Sequence, residues 1–393
     1  MIPPQTPPRL VTLILLAALS TLSLNMFLPS LANIATDFQA DYALVSLSVG
    51  GYLAVTAVVQ LIAGPLSDRI GRRPVVLTAL ALFTLASIGC LLAQDIHTFL
   101  ICRMLQAAIA SGYGVSLAIV RDTAPPERAT ALIATIGMFM AVAPMLGPVI
   151  GGLLDAGFGW RASFVVYTVA GTVMALLCLF DLGETRAARP ASAGSGPGAT
   201  TLLRTPLFWG YALCGAFSVG AFYVFLAGAS VVAQSAFGVG TAQLGVYIGS
   251  ITAGFMAGSF VSSRLSARVP GLVMMLAGRL VACIGLSIGL VLVLAGVLSP
   301  VFYFASTICV GLGNGLTMPA ALSGALSINR NYAGSAAGFG GALSVAVGAV
   351  LTSLTGVLLA ARPDPALLLG LMLGASVVAL ACVCWIHLMT QRE

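Results

Sequence analysis

Two arginines stand inside long apolar runs of this sequence, and they are the first residues that could do chemistry. Arg103 lies about six residues into the run 97–120, and Arg279 lies about nine residues into the run 270–297. Burying an arginine in hydrocarbon costs about 2.5–3.5 kcal/mol on insertion scales, so each needs a partner or water. We expect Arg103 to face a wet cavity and to respond to a bound proton or solute, unless backbone carbonyls satisfy it. Arg279 is expected to reach toward the nearer membrane surface.

A charged segment, 64–74, separates two apolar runs and has the sequence Gly-Pro-Leu-Ser-Asp-Arg-Ile-Gly-Arg-Arg-Pro. Between two membrane spans, such a segment must form a short aqueous hairpin. Its first and second glycines would permit a close helix contact and a tight turn, respectively. An aspartate beside three arginines predicts a charge-pair network at the membrane surface, with a plain solvated loop as the alternative. The residues that we expect to form this network are Gly64, Asp68, Arg69, Gly71, Arg72 and Arg73.

The elements that must position these residues are membrane helices. Apolar residues make up 59% of the chain, charged residues make up 7%, and the mean hydropathy is +1.07. A soluble domain carries about 25% charge, so this composition excludes one. Apolar runs of about 20 residues suit helices that cross a bilayer, whereas a β-barrel would show alternating segments of about ten. The runs are 10–32, 43–66, 74–94, 97–120, 129–154, 161–180, 207–232, 242–264, 270–297, 301–325, 333–360 and 366–389.

The sequence therefore predicts an all-α membrane protein of twelve helices in two halves. A segment rich in Gly, Pro, Ser and Ala, 181–206, cannot pack a core and is typical of a flexible linker. We predict a six-helix bundle over 1–180, a cytoplasmic linker over 181–206 and a second bundle over 207–393. The first apolar run is long and ends near Pro29, so we expect an uncleaved helix rather than a signal peptide.

Other function classes find little support in the composition. The net charge of +6 comes from arginines, mainly in the connecting loops, and the chain has no lysine. Arginines in loops indicate the orientation of the helices in the membrane rather than nucleic-acid binding. All eight cysteines lie in apolar runs, so we expect neither a disulfide nor a metal site. The sequence has no His-Glu-x-x-His, no phosphate-binding loop and no Ser/His/Asp constellation. We expect no enzyme and no cofactor.

The distribution of arginines predicts orientation. If both termini lie in the cytoplasm, the outside loops hold only Arg161 and Arg362, and all the other loop arginines lie inside. This excess of arginine in the cytoplasmic loops follows the positive-inside rule. The inside loops then hold Arg9, Arg69, Arg72, Arg73, Arg121, Arg128, Arg186, Arg189, Arg204, Arg264, Arg268, Arg330 and Arg392. A weak echo of segment 69–73 at 264–268 supports duplication of a six-helix unit.

The hairpin resembles the loop 2–3 signature of the major facilitator superfamily, Gly-x-Leu-x-Asp-Arg-x-Gly-Arg-Arg/Lys. Segment 143–152 on helix 5 resembles the Gly-Pro-x-x-Gly-Gly motif of proton-coupled antiporters, and segment 103–107 resembles Arg-x-x-Gln-Gly with alanine for glycine. Segments 25–29, 121–122 and 332–337 are similar to the bicyclomycin/chloramphenicol-resistance (Bcr/CflA) branch of drug:proton antiporters. The helix-5 motif residues are Pro144, Gly147, Pro148, Gly151 and Gly152.

This resemblance implies two pseudo-symmetric bundles that export small amphipathic drugs by proton antiport through alternating access. It implies no cofactor, and the energy source would be the proton gradient. The alternative is an exporter of a sugar or amino acid, not necessarily proton-coupled. The expected setting is the inner membrane of a bacterium, with the protein a monomer. By the same resemblance, Asp68 would latch the inside gate against the N-terminal end of helix 11, near Gly334, and helix 5 would seal the outer cavity.

The resemblance also exposes a departure at the coupling site. Related exporters commonly have a proton-carrying aspartate at the position of Asn25, which cannot ionise. Asn25 and Arg103 should lie at similar depth in the membrane, so we expect Asn25 to hydrogen-bond either to Arg103 or to the substrate. Asp122, at the inner end of helix 4, is the nearest membrane-edge carboxylate, but it could instead pair with Arg121 or Arg128.

The cavity residues expected from the resemblance are mostly aromatic, and we expect neutral or zwitterionic substrates over strong cations. These residues are Tyr52, Tyr113, Met138, Phe139, Phe222, Tyr223, Tyr247 and Asn314.

Overall fold

The computed structural model describes residues 8–124, 126–185, 204–266, 268–328 and 333–391. It confirms an all-α membrane protein with twelve helices in these residues. Two of them are interrupted, namely α1 (Leu10–Asn25 and Leu31–Asp37) and α4 (Ile96–Gln106 and Ser111–Thr123). The others are α2 (Tyr42–Ile70), α3 (Arg72–Leu92), α5 (Pro126–Phe158), α6 (Arg161–Asp181), α7 (Pro206–Phe237), α8 (Thr241–Leu265), α9 (Gly271–Leu294), α10 (Pro300–Ser327), α11 (Ala333–Ala361) and α12 (Pro365–Thr390).

Eleven of the helices are long and apolar enough to cross a membrane, and α5 contributes the shorter apolar stretch Leu146–Phe158 among the residues that could be searched. The ends of the helices lie within a few residues of the predicted ones. An apolar run predicts a helix well because hydrocarbon offers no water to the backbone. Each backbone N–H and C=O group must therefore be hydrogen-bonded within its own helix along the whole run.

The interruptions in α1 and α4 are both short 3-10 turns. In α1 the turn is Leu28–Ser30, where Pro29 lacks the backbone donor that a continuous helix requires. In α4 the turn is Ala107–Ala110, directly after Gln106. Each interruption therefore follows a buried polar residue, namely Asn25 in α1 and Gln106 in α4.

The chain divides into two compact units. Unit 1 comprises residues 1–189 together with Thr241–Val246, and unit 2 comprises residues 190–240 and 247–393. Helix α6 ends at Asp181, and the following Leu182 is completely buried, so the described residues after α6 pack rather than forming a free linker. Segment 186–203, most of the predicted linker, lies outside the described residues.

Candidate functional site

Arg103 is among the largest completely buried side chains of the described residues, and it lies in unit 1. Arg103 is completely buried, and its Nη1 donates to Gln106 Oε1 at 2.5 Å and to the Ser23 carbonyl at 3.4 Å. Its Nη2 donates to the Ser48 carbonyl at 3.4 Å. Gln106 in turn donates to the Ser87 hydroxyl at 2.7 Å. Carbonyl and amide oxygens on α1, α2 and α4 thus converge on one arginine, Gln106 connects it to α3, and no carboxylate is among its described partners.

Two aromatic rings complete the surroundings of Arg103. Its Cζ lies 4.1 Å from the centre of the Phe27 ring and 4.6 Å from that of Tyr52. Such cation–π contacts contribute about 2 kcal/mol when desolvated. The Tyr52 hydroxyl hydrogen-bonds to the Ser23 hydroxyl at 3.1 Å. The expected wet cavity around Arg103 is therefore replaced by a closed polar pocket, and Tyr52 belongs to that pocket rather than to an open surface.

Asn25 lies at the C-terminal end of the first part of α1. Its Nδ2 donates to the Thr21 carbonyl at 2.8 Å, whereas its Oδ1 is buried without a partner among the described residues. The possible hydrogen bond to Arg103 is consequently not formed. Asn25 is 3% exposed, so its unpaired oxygen is shielded from solvent in this conformation.

The helix-5 motif packs directly on this part of α1. A Cβ added to Gly147 would lie 3.3 Å from the Asn25 Cβ, and one added to Gly151 would overlap the Met26 carbonyl oxygen. A Cβ on Gly152 would overlap the Thr241 carbonyl oxygen within unit 1. Pro144 and Pro148 lie inside the same helix, where each removes a backbone donor. The small residues therefore serve close backbone contact.

At the hairpin, Arg72 is the centre of the predicted charge network. It pairs with Asp68 at 2.5 Å and with Asp122 at 3.1 Å, and it also hydrogen-bonds to the Ser67 hydroxyl. Asp122 thus has a described partner on α3, an alternative to the predicted Arg121 or Arg128, whose side chains lie outside the described residues.

Glu184 belongs to the hairpin contacts, although the sequence did not predict it there. The backbone N–H of Arg72 donates to Glu184 Oε1 at 2.9 Å, and that of Arg73 approaches Oε2 at 3.4 Å. The carboxylate thereby caps the positive N-terminal end of α3. Gly71 has a φ of +108°, and any Cβ there would collide with this carboxylate. Position 184 falls within the predicted linker 181–206, and the only local signal for the contact is an acid directly after the end of α6.

The remaining hairpin residues have smaller roles in this conformation. The Arg73 side chain donates to the Leu179 carbonyl at 2.8 Å, and Arg69 is exposed. Gly64 was expected to permit a close helix contact, but a Cβ there would meet no atom of the described structure within 4 Å. The N-terminal end of helix 11 near Gly334 lies outside the described side chains, so the latch of Asp68 against it stays a prediction.

Unit 2 has a comparable buried guanidinium, and here the expectation that Arg279 reaches the membrane surface is wrong. Arg279 is completely buried because two side chains of α10 hold it inside the unit. Its Nε donates to the Thr317 hydroxyl at 3.0 Å and its Nη2 to Asn314 Oδ1 at 2.7 Å. Asn314 also donates to the Ser218 carbonyl at 3.0 Å. This predicted cavity residue therefore joins α7, α9 and α10 instead of presenting free polar atoms.

The other predicted cavity residues are partly exposed within their own units. Tyr223 lies against Gly348, and the Phe222 and Tyr223 ring centres are 6.0 Å apart. Tyr247 stacks on Phe304 with ring centres 4.3 Å apart. Tyr113 is half-buried on α4. The side chains of Met138 and Phe139 lie outside the described residues.

A family comparison decides what kind of protein presents this arrangement. Residues 13–353 match the profile of the Major Facilitator Superfamily. The chain belongs to the major facilitator superfamily. It is accordingly a multi-pass membrane transporter rather than an enzyme.

Relatives of this transporter include bacterial proteins of similar length. The uncharacterized MFS-type transporter YdgK of Bacillus subtilis (strain 168) is 30% identical over 355 residues, which cover 87% of each chain. The multidrug resistance protein MdtL of Salmonella heidelberg (strain SL476) is 28% identical over 370 residues, covering 92% of this chain and 90% of the relative.

Solved structures support the fold of the transporter. A bacterial homologue of the human lysosomal transporter Spinster matches with a TM-score of 0.77 and 16% identity over 97% of this chain and 96% of the other. The nucleoside transporter NupG matches with a TM-score of 0.77 and 11% identity over 96% of this chain and 99% of the other. At these identities the likeness concerns the fold alone.

Proposed function

We propose that this transporter exports small amphipathic compounds, drugs among them, from the cytoplasm of a bacterium. The observation that carries the proposal is the packing of α5, which holds the Gly-Pro-x-x-Gly-Gly motif, against α1. Gly147 packs against Asn25, and Gly151 packs against Met26, just before the interruption of α1. This is the motif that resembles drug exporters of the bicyclomycin/chloramphenicol-resistance branch. The name of the relative MdtL, which aligns over 92% of this chain, agrees with it.

The test is a drug-susceptibility panel in a host that lacks its own exporters. We expect the wild-type chain to raise tolerance to several structurally unrelated amphipathic compounds. The matched control is Gly151→Leu, which would drive a bulky side chain into the Met26 carbonyl while leaving every polar residue in place. Tolerance in cells with the wild type that equals tolerance in cells without the chain, at confirmed expression, would refute drug export.

The alternative is an exporter of a metabolite such as a sugar or an amino acid on the same fold. A uniformly null drug panel, accompanied by a changed profile of metabolites in the medium, would favour this alternative. The aromatic residues Phe222, Tyr223 and Tyr247 suit either class of solute, because they offer adaptable apolar contact.

Proton exchange is the energy source that the helix-5 motif implies. An uncoupler that removes the proton gradient should then abolish export, and insensitivity of the wild type would remove proton antiport. Asp122→Asn provides the specific test of the one carboxylate predicted to carry the proton. Because Asp122 is paired with Arg72 at 3.1 Å, we expect export by this variant to keep its sensitivity to the uncoupler.

The Asp68–Arg72–Asp122 network would act as a latch on the cytoplasmic side, with both termini on that side. A helix N-terminus stabilises an anion by about 0.3–1 kcal/mol, enough to bias two conformations but not to drive transport. Asp68→Asn is therefore expected to change the rate of export. Unchanged rate and sidedness in this variant would exclude the latch.

A further inference from the structure

Asp155 is the one acidic residue that is buried among the described residues, at 8% exposure. It lies in the last turn of α5, three residues after Gly152 of the helix-5 motif. The residues that follow it, 156–159, are exposed, so its carboxyl group lies at the boundary between the bundle and water. The positive-inside bias places this end of α5 on the outer side of the membrane. A proton from the outer solution can therefore reach Asp155 without crossing the bilayer.

The described partners of Asp155 are all neutral. Asn33 of α1 donates to its Oδ2 at 2.7 Å, and the Thr241 hydroxyl at the start of α8 also hydrogen-bonds to it. The Ser30 hydroxyl lies beside the same carboxyl group, where it is buried and completes no hydrogen bond of good geometry with the described residues. Asp155 thereby joins α1 and α5 to the first turns of α8, whose residues Thr241–Val246 belong to unit 1.

No arginine neutralises Asp155 within the described part of the chain. Of the elements around it, this end of α5 and the first turns of α8 carry no other charged residue. Helix α1 contributes Asp37 and helix α6 contributes Arg161, and these two pair with each other at 2.5 Å. Other arginines pair with Asp68, Asp122, Asp181 and Asp364. Asp155 differs from all these acids because it is buried without a positive partner.

The burial of Asp155 depends on the contact between α5 and the first turns of α8. A Cβ on Gly152 would overlap the Thr241 carbonyl oxygen, and one on Gly245 would overlap the Pro148 carbonyl oxygen. Small residues thus bring the two backbones together and exclude water from this face. Any movement that separates the first turns of α8 from α5 would expose Asp155 to the outer solution.

We propose that Asp155 is the site at which this transporter takes up a proton from the outer solution, and that the outer end closes around Asp155 only when its carboxyl group is protonated. This inference rests on the proposed proton-coupled export and names the residue that binds the external proton. It places that site at the opposite end of the membrane from Asp122, the acid that the sequence suggested.

The free energy of burial favours the protonated form of such a carboxyl group. Transfer of an ionised carboxylate from water into a protein interior is unfavourable without a positive partner, so burial promotes protonation. The surroundings of Asp155 also suit a neutral acid. A hydroxyl group accepts as well as donates, so a proton on Oδ1 can be donated to Ser30 while Oδ2 continues to accept from Asn33.

Proton uptake at this position would couple closure of the outer end to antiport. After a substrate leaves on the outer side, the ionised carboxylate keeps the outer end open because its burial is unfavourable. Binding of one proton removes this obstacle, and the transporter can then close and return for the next substrate. Net efflux should therefore require protons in the outer solution.

The test measures efflux of chloramphenicol, a neutral amphipathic compound, from right-side-out membrane vesicles of an exporter-deficient host that contain the full chain. The lumen is strongly buffered, and the outer pH is raised from about 6 to about 8, where exposed aspartates are ionised throughout. After subtraction of efflux from vesicles without the chain, wild-type efflux should slow by up to about tenfold per pH unit, the limit for one proton. Efflux by Asp155→Asn, which is neutral at every pH, should not depend on the outer pH.

Three further variants assign the pH dependence to Asp155. Asp155→Glu keeps the acid and should keep the dependence. Ser30→Ala removes the hydroxyl that would accept from the protonated carboxyl group, so its efflux should begin to slow at a lower outer pH than that of the wild type. Asp41→Asn is the matched control, because it neutralises an exposed acid on the same side of the membrane, and it should keep the wild-type profile.

Infrared spectroscopy of the purified full chain gives a measurement that needs no substrate. A protonated carboxyl group has a C=O stretching band that an ionised carboxylate lacks. At about pH 6, where exposed aspartates are ionised, we expect this band in the wild type and in Asp41→Asn. It should be lost in Asp155→Asn.

Three results would overturn the inference. These are wild-type efflux that does not change with the outer pH, a wild-type pH profile in folded Asp155→Asn, and the same infrared band in the wild type and in Asp155→Asn. If Asp155→Asn does not fold, identical pH profiles of the wild type and Ser30→Ala would overturn it instead. Efflux that is independent of the outer pH removes only the proton site. No efflux above that of vesicles without the chain, together with a null drug panel, removes the proposed function itself.

Discussion

At the scale of single residues, Asn25 is the position where one substitution should change the charge of the membrane interior. Asn25→Asp would add a carboxylate in place of an amide whose oxygen has no described partner. We expect it to raise the rate of export when a proton gradient is present, because related exporters commonly have a proton-carrying acid at this position. A buried acid also titrates, so this variant should gain a response to a pH gradient. The control is Asn25→Ser, which adds no charge. An export rate in Asn25→Asp that equals the wild-type rate with and without the proton gradient would show that an acid at this position takes no part in transport.

The contact of Gly71 with Glu184 is a second prediction at this scale. Glu184→Ala removes the cap from α3 and should destabilise the protein by about 1 kcal/mol, while Glu184→Gln keeps an acceptor and should cost less. Gly71→Ala should cost about 1–2 kcal/mol from its positive φ, and more from collision with the carboxylate. Thermal unfolding in detergent measures each variant. In the double variant Gly71→Ala/Glu184→Ala the collision is absent, so the two losses should not add; simple additivity would contradict the contact.

At the scale of helices, the packing of α5 on α1 can be tested with two glycines of the same helix. A Cβ at Gly151 would overlap the Met26 carbonyl oxygen, whereas one at Gly157 would meet no described atom within 4 Å. Gly151→Ala should therefore lower stability by about 1–3 kcal/mol through overpacking. Gly157→Ala should be neutral or slightly stabilising, since alanine loses less backbone entropy in a helix. Equal melting temperatures for the two variants would show that the small face of α5 does not hold α1.

The start of α4 gives a prediction with a pH dependence. Asp95 caps this helix by accepting from the backbone N–H of Thr98 at 2.9 Å and from its hydroxyl at 2.6 Å. The hydroxyl bond, followed by the backbone bond, lowers the pKa of Asp95 below its ordinary value. A lowered pKa stabilises the folded state above the unfolded pKa, and that stability is lost as pH falls through the folded pKa. Asp95→Ala should lower the melting temperature at pH 7 but not in acid, whereas a difference that persists in acid would contradict an ionised cap.

At the scale of the whole molecule, the sequence predicted what depends on local runs and missed what depends on distant contacts. Hydrophobic length gave the twelve helices, and the spacing of arginines and aspartate in segment 64–74 gave the network around Arg72. The prediction for Arg279 failed because its partners, Asn314 and Thr317, are more than 30 residues away in another helix. Glu184 was missed for the same reason: only the packed bundle brings the end of α6 to the start of α3.

Orientation is the property of the whole molecule that still needs a direct measurement. The positive-inside bias predicts that a cysteine at position 362 faces the outside and one at position 69 faces the cytoplasm. In intact cells a membrane-impermeant maleimide should label Arg362→Cys, and it should label Arg69→Cys only after the membrane is opened. The parent chain is the control for the eight native thiols, of which Cys384 is the exposed one. The reverse pattern would place the Asp68–Arg72–Asp122 network on the outer face and so exclude it as a cytoplasmic latch.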